Sequence, residues 1–303
     1  MEAKSLRRSK ILFQFLLFTL LVMCFSPAAA DQATDPQSQD ESLDLFDGDV
    51  ETKDTGWRLL SIALGATWLD ADGVLGARPP DSPPITIIDF DRVGLDESDR
   101  SHWLTMTWRS RTSRWGAWFG NWRYDVTGIR SWEGEWPFDD DVFIPVGASV
   151  ESNFDANWYI AEATYSFVQN NTIDTGIGFG FHIVDLKTDL RAKVSVAEGE
   201  VEVVQGDLDT LAPLPNILGY LHWNIHPRWE AIARIGWFGL SYDIYDGQMT
   251  NAHLLINFSV TDRFTLGGGY QFVNLDLDIE RKRYREIYDI DFYGPMAFAR
   301  FWF

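Results

Sequence analysis

Apolar and polar side chains alternate at every second position over most of the chain after residue 56. In residues 157–168, for example, Tyr159, Tyr165 and Phe167 fall on one face and Glu162 falls on the opposite face. A β-strand has this period because its successive side chains point to opposite faces of the sheet, whereas a helical face repeats every ~3.6 residues. The alternation therefore predicts an all-β protein.

Ten segments carry the alternation, some of them with interruptions. They are residues 57–69, 102–110, 115–125, 157–168, 172–186, 215–226, 228–242, 249–260, 263–278 and 288–303. Short connections at 111–114, 168–171, 225–228 and 260–263 alternate with longer ones at 70–101, 126–156, 187–214, 243–248 and 279–287. This asymmetry is typical of outer-membrane barrels, so we expect one antiparallel up-and-down transmembrane β-barrel of about 10 strands, with about 8 or 12 as alternatives.

The aromatic content bears on whether such a barrel is soluble or spans a membrane. The chain contains 14 Trp and is 15% aromatic. After residue 30 it has no run of the ~18 apolar residues that a spanning helix needs. A closed barrel is the other structure that pairs every backbone group within a bilayer. A soluble barrel, with its apolar face inside, is the alternative, but aromatic residues at the segment ends favour the membrane.

The first 30 residues predict secretion. Four cations, ending at Lys10, precede the apolar run "ILFQFLLFTLLVMCF", and an A-x-A site ends at Ala30. This pattern is typical of a signal peptide cleaved after Ala30. A membrane anchor is the alternative, but the apolar run is shorter than the ~20 residues that a spanning helix requires. The only cysteine, Cys24, lies in this segment, so cysteine chemistry is excluded from the mature chain.

Charge and composition divide the rest of the chain. Residues 31–56 are acidic and nearly free of large apolar groups, which predicts a disordered periplasmic lead-in before a barrel at 57–303. The whole chain has a formal net charge of −20, and removal of a signal peptide with a net charge of +3 leaves about −23. Such a charge excludes nucleic acid and bare anionic lipid as partners.

Three stretches of the C-terminal half carry a resemblance to known proteins. They are "HPRWEAIARIGWFGLSYDIYDG" (226–247), "DRFTLGGGYQFVNLDLDI" (262–279) and "YDIDFYGPMAFARFWF" (288–303), with "DRVGLDESD" (91–99) upstream. They resemble a widespread, little-characterised family of bacterial outer-membrane β-barrel proteins. The resemblance implies the fold, an outer-membrane location and a terminal aromatic, Phe303, that acts as the signal to the barrel-assembly machinery. It implies no catalytic residue.

Ten charged or histidine side chains fall by parity on the face that a barrel would enclose. They are Arg58, Arg109, Arg123, Glu162, His182, His222, Glu230, Arg234, His253 and Arg300. Opposite charges can pair there, and a barrel of about ten strands is narrow, so we expect a lumen filled mostly by side chains. A narrow or gated channel for small solutes is the alternative, and a wide porin is not expected.

Three kinds of active site can be tested on the sequence. Ser166 shares the predicted lumen face with His182, as a hydrolase would need, but no G-x-S-x-G motif is present. His182 and His222 lie at heights that differ by about 15 Å, too far apart to share a metal. The acidic pairs "DFD" (89–91) and "DID" (289–291) have no histidine two residues away, as a protease of this class would require.

The interpretation is therefore a non-enzymatic outer-membrane barrel with no metal or cofactor and a structural or loop-mediated ligand-binding role. An outer-membrane hydrolase is the less favoured alternative. Trp132 and Trp136 lie among carboxylates in "SWEGEWPFDDD", where they could contact sugars or cationic partners, or else belong to the interfacial aromatic girdle. The expected partners are outer-membrane lipid and lipopolysaccharide, with weak divalent cations at the acidic loops.

Overall fold

The computed structural model describes residues 59–78, 86–95, 98–110, 113–131, 136–139, 142–144, 147–196, 199–242, 244–280 and 285–303. All of them belong to one compact unit, Val50–Phe303. The predicted signal peptide, the acidic lead-in and Arg58 lie outside the described residues.

Ten long strands form the main sheet. They are β1 (Leu60–Arg78), β3 (Asp99–Arg109), β4 (Trp115–Ser131), β7 (Ser149–Gln169), β8 (Ile173–Val196), β9 (Gly199–His226), β10 (Trp229–Tyr242), β11 (Tyr245–Ser259), β12 (Phe264–Glu280) and β13 (Arg285–Trp302). Each pairs antiparallel with its neighbours along the chain, and β13 pairs with β1, so the sheet closes on itself. The prediction of an antiparallel up-and-down barrel of ten strands is confirmed.

The remaining elements lie between long strands at one end of the barrel. Strand β2 (Thr86–Asp89) pairs with β1 and leads into a single helical turn, α1 (Phe90–Val93). Strands β5 (Trp136–Asp139) and β6 (Val142–Ile144) form a separate hairpin between β4 and β7. None of the described helical segments is long and apolar enough to cross a membrane.

The register fixes the tilt of the strands. A path through directly paired residues that starts at Leu60 and goes once around the ring returns to β1 at Asp72, twelve residues further along. With ~4.8 Å between strands and ~3.3 Å per residue, this offset tilts the strands by about 40° from the barrel axis. A ten-stranded ring is slightly wider than the eight-stranded one that side chains just fill, so large residues are needed to close its interior.

The apolar face of the strands changes from the outside to the inside of the barrel part-way along its length, as β7 illustrates. Toward the short turn that follows Gln169, the outward side chain of Phe167 is apolar and exposed, and the inward side chain of Glu162 is buried. Toward the opposite end, the inward side chain of Phe154 is apolar and fully buried, and the outward side chain at Asp155 is polar. One half of the barrel is thus apolar outside, and the other half has a core like that of a soluble protein.

The apolar outer band has the height of a bilayer core. On β8 it runs from Ile173 to Ile183, with only Thr175 polar among the outward positions. At ~3.3 Å per residue and a tilt of ~40°, this length corresponds to about 25 Å, the usual height of the lipid-facing band of outer-membrane barrels. Beyond Ile183 the outward residues begin with Asp185 and Lys187, and the strand continues to Val196.

Two predicted loops are therefore wrong in large part. Residues 187–214 are mostly β8 and β9, which leave only 197–198 between them, and both ends of 126–156 belong to β4 and β7. The alternation continues through these residues, but the apolar positions move from the outward to the inward face. A search for apolar outward residues ends where the lipid-facing band ends, although the strands do not.

An aromatic cluster closes the interior above the band. The rings of Trp122 and Trp158 are stacked, with centroids 4.5 Å apart. Phe292 lies 5.7 Å from Trp122 and 5.4 Å from Trp158, and it comes from β13, three strands away from β4. All three side chains are fully buried, and further along Phe90 of α1 packs on Phe154 with centroids 5.0 Å apart. The interior of the extension is thus a continuous apolar core.

The reversal can be tested with single cysteines, because the chain from Asp31 onward contains none. We expect a nitroxide attached at Phe179→Cys to be accessible to oxygen and protected from a water-soluble nickel complex, since Phe179 lies in the apolar band. A nitroxide at Lys187→Cys, eight residues along the same strand, should show the opposite accessibility. Power-saturation electron paramagnetic resonance in lipid bilayers measures both. Equal accessibility at the two positions would contradict the proposed band.

Candidate functional site

Buried polar side chains fill the barrel interior between the short-turn end and the aromatic cluster. Each lies at an inward position of a long strand, and together they contain three guanidinium groups, three carboxylates and three imidazoles. These residues are Arg109, Arg234, Arg300, Glu162, Asp174, Glu230, His182, His222 and His253. We call this set the lumen network; its side chains divide among three carboxylate centres.

The first centre is Glu162. Its Oε1 accepts hydrogen bonds from Nδ2 of Asn216 at 2.9 Å and interacts with Nε2 of His182 at 3.2 Å. Its Oε2 forms an ion pair with Arg234. Space for this side chain comes from Gly180 on the neighbouring strand, because a Cβ there would lie 2.8 Å from Cγ of Glu162. Gly180 therefore lets the lumen face pack closely at Glu162.

The second centre is Glu230, near the turn between β9 and β10. Its Oε1 lies 3.0 Å from Nδ1 of His222, and its Oε2 accepts a hydrogen bond from Nδ2 of Asn257 at 2.7 Å. Nη1 of Arg300 is 4.0 Å from the same Oε2, at the outer limit of an ion pair. This carboxylate therefore has two close hydrogen-bonding partners and a more distant guanidinium group.

The third centre is Asp174, which forms an ion pair with Arg109. The hydroxyl of Tyr220 donates to Oδ1 of Asp174 at 3.3 Å and lies 2.8 Å from Oγ of Ser166. The guanidinium of Arg109 lies 5.8 Å from the centroid of the Tyr220 ring. Ser166 is thus hydrogen-bonded to a tyrosine, and the Ser–His arrangement considered for a hydrolase is not formed between Ser166 and His182, which binds Glu162.

The structure places eight of the ten sequence-derived lumen residues in this network, while Arg58 is not described. Arg123 is a correction. Its side chain is 39% exposed on the outer face, where Nη2 lies 2.5 Å from Asp155 and 2.7 Å from Asp125. At this height the lipid-facing band of β4 has ended. The neighbouring Trp122 and Tyr124 therefore point inward, and Arg123 points to water.

One network residue, Asp174, and one hydrogen-bonding partner of the network, Asn216, were absent from the predicted set, although the sequence contained a signal for both. Asp174 has the same parity on β8 as His182, and Asn216 has the same parity on β9 as His222. Both follow from extending the predicted lumen face along each strand. The pairing of Glu162 with Arg234, 72 residues apart, has no such signal, because the register between non-neighbouring strands of a closed barrel is a property of the whole ring.

The sequence also singled out two loop tryptophans, Trp132 and Trp136, and the terminal Phe303. Trp132 lies outside the described residues, and Trp136 begins β5 with its side chain not described. Phe303 is 72% exposed, and its backbone N–H donates to the carbonyl of Leu60 at 2.9 Å. The end of the chain is therefore held in the sheet with an apolar side chain on the outer face.

Acidic residues line the outer face of the extension on β12, β13 and β1. In the register Asp276 is directly opposite Asp289, and Asp291 is directly opposite Asp72. Directly opposed like charges destabilise a sheet unless cations or solvent screen them. We call these four residues the acidic strip. At its upper edge, a hydrogen bond to Asp278 raises the pKa of Arg285.

The other acidic pair considered from the sequence has a local structural role. Asp89 is the N-cap of α1, and its carboxylate accepts a hydrogen bond from the backbone N–H of Asp91 at 3.2 Å. In the register Asp89 and Asp289 flank Val74 from its two sides. Within the part of the chain that the structure describes, no three His, Cys, Asp or Glu side chains are arranged to hold a metal ion.

Comparison with known proteins identifies other proteins that have this fold. No family model and no curated protein matches the sequence. Among solved structures, the outer membrane protease OmpT from Escherichia coli has a TM-score of 0.53 and 9% identity, over 80% of this chain and 97% of OmpT. The chain has the fold of an outer-membrane β-barrel. At this identity the likeness shows the fold alone, and the protease activity is a property of OmpT.

Other barrels are similar at lower scores. The translocator domain of the autotransporter NalP from Neisseria meningitidis has a TM-score of 0.42 and 12% identity, over 81% of this chain and 89% of that domain. The toluene transporter TodX from P. putida has a TM-score of 0.36 and 9% identity, over 80% of this chain and 90% of TodX.

A double-mutant cycle tests the buried pair at the first centre. We expect Glu162→Gln to lower the free energy of unfolding by about 3–5 kcal/mol, because the guanidinium of Arg234 is left buried without a carboxylate. Glu162→Gln combined with Arg234→Met should cost clearly less than the sum of the two single changes. The measurement is urea unfolding in detergent micelles.

The control for this cycle is Arg123→Gln on the outer face, which should lower the free energy of unfolding by less than about 1 kcal/mol. If the effects of the Glu162 and Arg234 substitutions were additive, the two side chains would not be coupled.

Proposed function

We propose that this protein is a non-enzymatic barrel of the bacterial outer membrane that does not conduct solutes. On this proposal it carries a rigid, strand-built extension at the cell surface with a structural or ligand-binding role. The contacts of Phe292 with the stacked Trp122 and Trp158 carry the proposal, because they join β13 to the neighbouring strands β4 and β7 through the interior of the barrel.

The location and orientation are supported by the outer surface. The apolar band of about 25 Å matches a bilayer core, and the short turns lie at the end that barrels of this class keep in the periplasm. Phe303 is exposed at that end, which suits recognition by the barrel-assembly machinery. The basic and apolar residues before Ala30 support export through a cleavable signal peptide.

The closed interior supports a structural or binding role over transport. Below the aromatic cluster the charged side chains bind one another through the three carboxylate centres. Above it, Phe90 and Val93 of α1 are fully buried against the core of the extension. A narrow gated channel, the alternative, requires the ring of Phe292 to move away from Trp122 and Trp158.

The outer surface supports contacts with lipopolysaccharide and cations. The guanidinium of Arg100 lies 5.8 Å from the Trp68 ring at the upper edge of the apolar band, where lipid phosphates would be within reach. Higher up, the acidic strip attracts cations, and divalent ions that bridge anionic lipopolysaccharide are the partners we propose for it. Catalysis is not part of the proposal, because the acidic and serine candidates are engaged in hydrogen bonds that stabilise the fold.

Planar-bilayer recordings test the closed lumen. We expect no discrete openings from the wild-type protein, and openings from a variant that combines Trp122→Ala with Trp158→Ala, because the two substitutions remove the stacked rings. The control is Trp237→Ala, which removes an outward ring that is 56% exposed and should leave the barrel silent. Reproducible openings from the wild type would favour the channel.

Calcium titration by calorimetry tests the acidic strip. We expect weak binding, with Kd of about 10⁻⁴–10⁻³ M, which is lost when Asp276, Asp289 and Asp291 are all changed to Asn. The matched control changes Glu151→Gln, Asp185→Asn and Asp189→Asn on β7 and β8, where Lys187 and Lys193 lie beside carboxylates 3.3 Å away. Calcium binding that is the same in both triple variants would rule out the strip as the site.

A further inference from the structure

A small cavity lies inside the barrel close to the short-turn end. Its volume is about 30 Å³, and its walls include Trp108, Arg109, Arg234, His253, Arg300 and Trp302. Arg109 is the last residue of β3, and Trp302 is the last residue of β13. The cavity therefore lies within one or two layers of side chains of the short-turn end of the barrel. A space of this size holds one or two waters or a single small ion.

The charges on the cavity wall are unequal, although the lumen network as a whole is balanced. Three guanidinium groups line the cavity, those of Arg109, Arg234 and Arg300, and Glu230 is the one carboxylate among the described residues of the wall. Asp174 and Glu162 bind Arg109 and Arg234 but are not part of the wall. The positive potential of the wall is therefore concentrated at Arg300, whose contact with Glu230 is 4.0 Å long, and the low dielectric of the interior strengthens it.

Two buried polar atoms of residues that line the cavity have no hydrogen-bond partner among the described residues. They are Nε of Arg300 and Nε2 of His253, and the two residues are only 4% and 6% exposed. Nε of arginine always carries a hydrogen and can only donate. The contact between Arg300 and Glu230 is 4.0 Å long, so it does not replace that hydrogen bond. A buried donor left unpaired is costly, which makes an acceptor in the cavity favourable.

We infer that this cavity binds one small monovalent anion of about the size of chloride. A cation would be repelled by the guanidinium of Arg300, and a space with room for one or two waters suits a single monatomic anion. Water could also accept a hydrogen bond from Arg300, and the bromide experiment below distinguishes water from an anion. This site is independent of the surface role proposed above, because it lies at the opposite end of the barrel.

The anion connects three separated parts of the ring. Arg109, Arg234 and Arg300 come from β3, β10 and β13, and the anion reduces the mutual repulsion of their guanidinium groups. Its binding therefore stabilises the folded barrel at the end where the last strand closes onto the first. The consequence is a stability that depends on the kind of anion and not only on ionic strength.

Crystals of the wild-type protein grown in or soaked with sodium bromide give the direct test. We expect an anomalous bromide peak inside the cavity, within about 3.5 Å of Nε of Arg300, which is the distance of a hydrogen-bonded halide. Density without anomalous signal means that only water is bound, and a peak confined to the outer surface means an adventitious ion only. Either result overturns the proposal.

Thermal unfolding in detergent gives an independent test at constant ionic strength. At chloride concentrations about ten times the Kd, we expect a melting temperature about 3 °C higher in sodium chloride than in sodium gluconate. Arg300→Met should abolish the difference, and the matched control Arg123→Met on the outer face should keep it. If Arg300→Met does not fold, His253→Leu takes its place. A chloride effect of equal size in the cavity variant and in Arg123→Met would overturn the proposal.

Discussion

Within the apolar band, every backbone N–H and C=O group must find its partner inside the sheet, because hydrocarbon offers none. The pairing of β13 with β1 meets this requirement by leaving no free edge. Closure then determines much else. Ten strands with an offset of twelve residues between Leu60 and Asp72 set the tilt and the width of the ring. A ring of this width leaves an open space inside the backbone of the barrel. The interior must be filled by side chains, and the choice of those side chains differs between the two halves.

Solvent on the outside decides which residues fill the inside. Where lipid surrounds the barrel, apolar residues such as Phe179 face outward, and the enclosed positions hold carboxylates and arginines that neutralise one another. Where water surrounds it, outward positions carry charges such as Asp155, and the enclosed positions hold Phe154 and Trp158. A single strand such as β7 is therefore lipid-facing at one end and surrounds a soluble-type core at the other. Its pairing with β8 is continuous across the change, from Ser149 to Ser166.

The charged half stabilises the barrel less than its number of contacts suggests. Burying an ion pair removes both groups from water, and the attraction between them often only offsets that loss. The lumen network is better understood as a constraint on the register of the strands. Only one alignment of the strands places Glu162 beside Gly180, where there is room for its side chain, and within bonding distance of Arg234 and Asn216. The aromatic half supplies the apolar burial that closes the lumen, and a rigid extension follows from it. A filled, rigid barrel suits a surface role more than passage of solutes.

The sequence by itself determined the all-β class, a number of strands close to ten, the closed antiparallel order and the inward placement of residues such as Glu162 and His182, because period-two alternation and turn spacing are local properties. Only the tertiary structure decided how far the strands extend, that Arg123 faces water, and that Glu162 meets Arg234. The first two depend on where the lipid band ends, since the apolar face changes sides there. The third depends on the offset of the closed ring, which brings together residues that no local pattern relates.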